Sequence, residues 1–383
     1  MRLSMISAAL VAALVGYGST ITLVLAAAGA VSATPAQTAS WVFAVCLIKA
    51  AGSAFLSATS RVPVVLAWST PGAALIAATT GISMAQAVGA FLLAGALIAM
   101  TGAVRPLGRL VAAIPDGIAA GMLAGVLLPF VLKLAGAVQI APKQVLPMVL
   151  IFALVRLWNP SFAVLVALAT GVVTGLHPEA LAGFSFALPR LTFIAPEFTP
   201  GVLIGLGLPL YLVTMASQNL PGFATLRAAG YEPPVRPALA VTGGLSALGG
   251  LFGSHTISMA AITAAICLGD DVHPDRNQRW KVGLAYAAVW VCLGIFGPLI
   301  LALIGALPAA TMTALVALAL LGPLTGALTG AFSHPPQRFA AAVTLTTTAS
   351  GVAFFGIGAA FWGLIAGLTI FGLEHTASRL KRQ

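Results

Sequence analysis

Apolar residues run along this chain in long blocks, each closed by Gly, Pro or a short charged stretch. About 20 apolar residues suffice to cross a hydrocarbon core as a helix, and Gly and Pro are the strongest punctuators between such blocks. The pattern predicts about fourteen segments, near 8–30, 38–58, 62–80, 84–103, 115–133, 144–158, 160–176, 200–219, 235–252, 254–268, 281–303, 308–330, 338–356 and 358–374. An all-α polytopic membrane protein is the implied fold class. Residues 177–199 read as an outer loop with an interfacial piece, dividing the chain near its midpoint. The first apolar block, behind Arg2, is longer than a signal-peptide h-region and reads as a retained helix.

Two pairs of blocks resemble each other across the midpoint. "LAWSTPGAALIAA" at 66–78 parallels "LFGSHTISMAAITAA" at 251–265, an offset of 185 from Thr70 to His255. "AIPDGIAAGMLAGVLLP" at 113–129 parallels "ALPAATMTALVALALLGP" at 306–323, an offset of 193 from Pro115 to Pro308. These spacings predict two inverted seven-segment repeats, 1–195 and 196–383, which intertwine into core and gate domains, as in secondary transporters.

In the first pair helical pattern fails. "RVPVVLAW" is β-branched and Pro-interrupted, which favours extended chain. "STPG" comes next, with Ser69 or Thr70 as N-cap and Pro71 in the first turn. "GGLSALGGLFG" is too Gly-rich for a continuous helix, so Ser254 or Thr256 is expected to cap the helix after it. Each motif reads as a short broken segment, an extended stretch leading into a half-helix that begins inside the membrane. Helix N-termini carry unpaired N–H groups and partial positive charge, so two converging tips make an anion site without a cation. The predicted binding residues are Ser69, Thr70, Pro71 and Gly72 on one tip and Ser254, His255 and Thr256 on the other. Ser217, Gln218 and Asn219, placed at the end of an apolar run, supply a third wall, and Tyr17 offers a ring face. The bland alternative throughout is that these groups only satisfy neighbouring backbone.

Composition and charge narrow the reading. The 383 residues are 60% hydrophobic and 7% charged, against about 25% charged in soluble domains. The net charge of +10 does not call for nucleic acid, because the basic residues fall in short connections on one side. Arg2, Arg61, Arg105, Arg109, Arg156, Arg227, Arg236, Arg276, Arg279, Lys281, Arg338, Arg379, Lys381 and Arg382 share that side, and Lys133, Lys143 and Arg190 the other. The asymmetry predicts an inner-membrane protein with both termini cytoplasmic. Cys46, Cys267 and Cys292 lie in apolar blocks without ligand spacing and read as buried hydrophobes, so neither a metal nor a cofactor is expected. Lys49 stands in the middle of "WVFAVCLIKAAGSAF", where a charge must face a cavity or snorkel. "LGDD" at 268–271 has no partner Asp within a span, and HExxH is absent, so an enzyme is not expected. The GxxxG spacings "GMLAG", "GALTG" and "GLIAG" read as packing within the monomer, with a homodimer left open.

At "AWSTPGAAL", "VTMASQNLPG", "LRAAGY" and "HTISMAAITAAIC" the chain resembles the benzoate/proton symporter (BenE) family over nearly its whole length. The resemblance implies import of benzoate or a similar aromatic carboxylate by proton symport. It also implies a distant relation to nucleobase and sulfate-type transporters. The nucleobase branch carries glutamates in the matching segments and this chain has none there, which suits a carboxylate substrate. The proton carrier then has three candidates, His255, Asp116 and Lys49. Transport of another small anion or a nucleobase-like substrate, and a passive anion channel, are the alternatives.

Overall fold

The computed structural model describes residues 2–104, 114–175, 188–355 and 357–380. Arg105, Arg109, Lys381 and Arg382, and residues 177–187 of the expected outer loop, lie outside the described residues. Helices α1 (Leu3–Ala30) and α2 (Pro35–Ser60) come first; a Thr34–Gln37 capping box starts α2. Strand β1 (Leu66–Trp68) leads into α3 (Thr70–Ala77), followed by α4 (Met84–Ala103). Then come α5 (Asp116–Ile140), α6 (Pro142–Trp158) and α7 (Pro160–Gly175). The second half begins with α8 (Pro200–Ala228) and α9 (Val235–Gly250), then β2 (Ile257–Met259) and α10 (Ile262–Ile266). It closes with α11 (Lys281–Ile295), α12 (Gly297–Gly305), α13 (Ala309–Phe332), α14 (Arg338–Ala349) and α15 (Ala359–Leu380). Among the described residues six helices are long and apolar enough to cross a membrane. A pair bent by 56°, Arg276–Ile295 with Gly297–Gly305, brings the number to seven when taken as one span.

β1 and β2 pair antiparallel, with Leu66 opposite Met259 and Trp68 opposite Ile257. A two-stranded ribbon has two open edges, and inside a bilayer every edge group needs a partner. Helical side chains supply them. Leu66 N–H donates to Ser53 of α2 at 3.0 Å, and Ile257 N–H donates to Ser246 of α9 at 2.9 Å. Met259 N–H donates to the Asn219 amide oxygen at 2.9 Å, and the Leu66 carbonyl accepts from the Tyr286 hydroxyl at 2.9 Å. The ribbon is thereby pinned by α2, α8, α9 and α11.

Around it pack α4 against α9 and α2 against α11, while α5 packs against α13 and α14. A second apolar cluster joins the end of α5 with α6, α7 and α13. Small residues set the closest approaches. A Cβ on Gly243 of α9 would lie 2.2 Å from the Ala99 nitrogen of α4, and one on Gly95 2.6 Å from the Ala247 nitrogen. Gly121 of "GMLAG" and Gly363 and Gly367 of "GLIAG" all abut α14, so these two spacings pack within the monomer.

The structure corrects several local expectations. "GGLSALGGLFG" breaks only at its end: α9 runs through Gly243, which admits the α4 backbone, to Gly250, and the chain turns at Gly253, whose φ is +90°. The extended stretch lies in "ISM" instead, and α10 starts at Ile262, with no side-chain cap from Ser254 or Thr256. Strand β2 therefore begins 191 positions after β1 (66 to 257), and α10 192 after α3 (70 to 262). Both are close to the 193 separating Pro115 from Pro308 and unlike the 185 of the motif alignment. Ser217–Asn219 do not end a helix but sit in a π turn, Met215–Asn219, within α8. Pro221 lacks the N–H that would continue the ordinary ladder, and the wider turn absorbs the mismatch. Cys292 is exposed rather than buried. Asp270 of "LGDD" pairs with the buried Arg279 guanidinium, which also holds the Leu268 and His273 carbonyls. That accounts structurally for Asp270.

Candidate binding site

The tips of both half-helices open on one cavity of about 750 Å³. Thr70 and Pro71 come from the α3 tip and Ala260, Ala261, Ile262 and Thr263 from the α10 tip. Ser217 and Gln218 come from the π turn of α8, and Gly16, Ser19 and Thr20 from α1. The opposite wall is apolar and belongs to other helices: Ala119, Ala120 and Leu123 of α5, Phe152 of α6, and Leu318, Ala319 and Ala327 of α13. At the helix ends Asp116, Arg156, Pro160 and Gly330 also line it. A smaller cavity of about 290 Å³ lies farther along α1, α5 and α13, at Thr22, Leu25, Phe130, Lys133, Met312 and Val316. On α1 the lining passes from the first cavity at Thr20 to the second at Thr22.

Hydroxyls fix the α3 tip. Ser69 is its N-cap, accepting from the Gly72 N–H at 3.1 Å. The Thr214 hydroxyl donates to Ser69 at 3.0 Å and bonds Thr256 at 2.8 Å, while Thr70 bonds Thr20 at 2.9 Å. Ser69, Gly72 and Thr256 thus stand behind the tip as its frame, and Thr70 and Pro71 face the space.

His255 is fully buried and outside the lining; its Nδ1 accepts from Trp41 Nε1–H at 2.9 Å. With Nδ1 an acceptor, the neutral ring carries its proton on Nε2. That Nε2 makes no hydrogen bond, although the Ser69 backbone lies nearby. Ser254 bonds the His255 carbonyl at 3.0 Å and does not reach the cavity either. Asn219 turns away from its neighbours Ser217 and Gln218 to hold β2. Tyr17 is buried beside the cavity, its ring 5.5 Å from Trp68 and 5.8 Å from Trp290, its hydroxyl unpartnered.

Lys49 lines the cavity, 1% exposed. Its Nζ sits 3.0 Å from the Trp290 ring centroid and 4.7 Å from that of Trp68. Tyr17 and Tyr286 complete the cluster, Tyr286 packing on Trp290 at 5.9 Å. Among the described residues the ion pair formed is Arg279 with Asp270, and no carboxylate pairs with Lys49. A lysine at mid-helix costs roughly 2.5–3.5 kcal/mol on insertion scales, and desolvated cation–π contact returns about 2 kcal/mol. The rings can offset much of the cost of a charge there, but they supply no anion to pair with it.

The ring cluster is the part of the site that sequence reading missed. Trp68 lies more than 200 positions before Tyr286 and Trp290, which share one face of α11, and all three look like ordinary apolar residues. One signal was available: Lys49, Ser53 and Ser57 recur at four-residue spacing on α2, a polar stripe on one helix face. Asp116, named as a proton candidate, opens α5 and reaches the cavity from its far wall.

Residues 1–373 match the family model described as benzoate membrane transport protein. The inner membrane protein YdcO of Escherichia coli K12 is 38% identical over 365 residues, covering 94% of this chain and 93% of that protein. The benzoate membrane transport protein of Acinetobacter baylyi is 34% identical over 375 residues, covering 96% and 94%. Among solved structures, the transmembrane domain of a cyanobacterial bicarbonate transporter, BicA, aligns with a TM-score of 0.57 at 13% identity. It covers 96% of this chain and 98% of that one. The murine anion transporter Slc26a9 in its inward-facing state aligns with a TM-score of 0.64 at 14% identity, covering 99% and 69%. At such identities the structural likeness concerns the fold.

Proposed function

Since the chain belongs to the benzoate membrane transport family, we propose that it imports benzoate or a similar aromatic carboxylate by proton symport. The observation that carries this reading is the shared cavity: two half-helix tips, a π-turn Ser–Gln pair and a buried lysine on one side, an apolar wall on the other. A carboxylate suits the first wall, since the N-terminus of the eight-residue α3 and an ammonium both attract anions. A ring suits the second, at Leu123, Phe152 and Leu318. The volume falls in the usual small-molecule range of roughly 300–1,000 Å³, more than an inorganic anion needs.

The binding set on this reading is Thr70, Pro71, Ser217 and Gln218, framed by Ser69, Gly72, Asn219, Ser254, His255 and Thr256, with Tyr17 beside the ring. His255 holds Trp41 and the strand entrance rather than the substrate. The fourteen segments form two inverted repeats, 1–195 and 196–383. Matching pairs of contacts support this: α2 with α11 and α4 with α9, α5 with α14 and α6 with α13, α6 with α7 and α14 with α15. The ribbon helices form the core and α5–α7 with α13–α15 the gate. Alternating access moves one against the other, opening the large cavity to the cytoplasm and the small one outward. The positive-inside pattern places both termini in the cytoplasm of an inner-membrane protein, and a homodimer is compatible with the exposed gate faces.

Uptake of labelled benzoate into proteoliposomes tests the reading. An inward proton gradient should drive accumulation that unlabelled benzoate competes away. Uptake that ignores the gradient and the competitor would reject it.

A further inference from the structure

We propose that Lys49 carries the proton of the symport and, once protonated, is the counter-ion of the substrate carboxylate. This deepens the transport reading above and rests on it. Three observations meet at Lys49. It is buried in the middle of α2 yet borders the large cavity, so a guest there can reach its Nζ. Its described partners are the Trp290 and Trp68 rings, which cradle an ammonium but cannot neutralise it. A buried donor in the same ring cluster, the Tyr17 hydroxyl, also lacks a partner, and Trp290 Nε1 has only the Tyr286 hydroxyl near it, so the cluster is short of acceptors, which a carboxylate would supply.

The groups facing Lys49 leave it the fittest carrier. Cys46 shares its helix, Tyr17 comes from α1, Tyr286 from α11, and His255 from the segment before β2. Tyr286 is committed to the Leu66 carbonyl and His255 to Trp41. Asp116 and Arg156 lie on the gate side of the cavity. On the elements packed against α2, Arg236 of α9 and Cys292 of α11 are exposed, Lys281 stands at the start of α11, and α12, β1 and β2 hold no titratable group.

The cycle balances in charge and protons. The neutral amine of the empty carrier takes one proton from the outer solution as the carboxylate enters, and the ammonium–carboxylate pair is neutral overall. On the inner side the carboxylate leaves, the unpaired ammonium gives its proton to water, and the neutral amine returns. One proton accompanies each anion, with no net charge moved.

The test uses full-length protein in proteoliposomes, comparing wild type with Lys49→Arg and Lys49→Gln. Wild type should accumulate labelled benzoate under an inward proton gradient, independently of membrane potential. Lys49→Arg, permanently charged, should keep benzoate–benzoate exchange and lose gradient-driven accumulation. Lys49→Gln should lose both, while detergent-purified protein stays monodisperse. In weak buffer, benzoate binding should draw protons from solution with wild type and not with Lys49→Arg. Coupled accumulation that survives in either variant would overturn the assignment while leaving the transport reading intact. So would a monodisperse Lys49→Arg that neither binds nor exchanges benzoate. Wild type that takes up no benzoate would overturn both.

Discussion

At the scale of single residues, the buried polar groups divide into those that frame the site and those that face it. Ser69 and His255 look alike in the sequence, each in a short polar cluster between apolar runs. Ser69 spends its oxygen on the Gly72 N–H and the Thr214 hydroxyl. Ser69→Ala removes an N-cap, worth about 1 kcal/mol, and should lower the thermal midpoint in detergent; an unchanged midpoint would show that the cap contributes nothing. His255 accepts from Trp41, so Trp41→Phe deletes a buried hydrogen bond of about 1 kcal/mol. That variant should be less heat-stable yet keep the pH profile of uptake. A shifted profile would bring His255 into the coupling. Lys49 was legible as an anomaly, since a charge in mid-block always asks for a partner. What the sequence could not show was that its partners are rings from β1 and α11.

Elements were legible to the extent that hydrophobicity alone sets them. The long helices fall where the apolar blocks predict, and "RVPVVLAW" does contain the first strand. The second broken segment was misplaced because glycine has two uses in a membrane helix. It breaks a helix when nothing supports the backbone, and it permits close packing when another helix is there. At Gly243 the second use prevails, with the α4 backbone against it. Gly243→Ala should therefore overpack the α4–α9 contact, costing about 1–3 kcal/mol and reducing the yield of folded protein. A variant as stable as wild type would mean the two helices can separate freely. The π turn at Met215–Asn219 was hidden for a related reason. Pro221 reads as a stop, whereas here α8 absorbs it by widening one turn, and that turn aims Ser217 and Gln218 into the cavity while Asn219 reaches back to β2.

On the scale of the whole molecule, transport by the proposed route requires that the space between the ribbon helices and α5–α7 with α13 be the substrate's path. Gly326 of α13 lines that space, and a Cβ there would meet nothing within 4 Å. Gly326→Phe should fold normally and block uptake by filling the cavity, and full uptake by that variant would place the route elsewhere. The most direct measurement is a structure of the protein with para-bromobenzoate, whose halogen marks the ring. Bromine should lie against the wall of Leu123, Phe152 and Leu318, with the carboxylate between the Thr70 tip, Ser217–Gln218 and the Lys49 ammonium. A transported bromobenzoate bound outside this cavity, or held within it far from both half-helix tips, would contradict the proposed site.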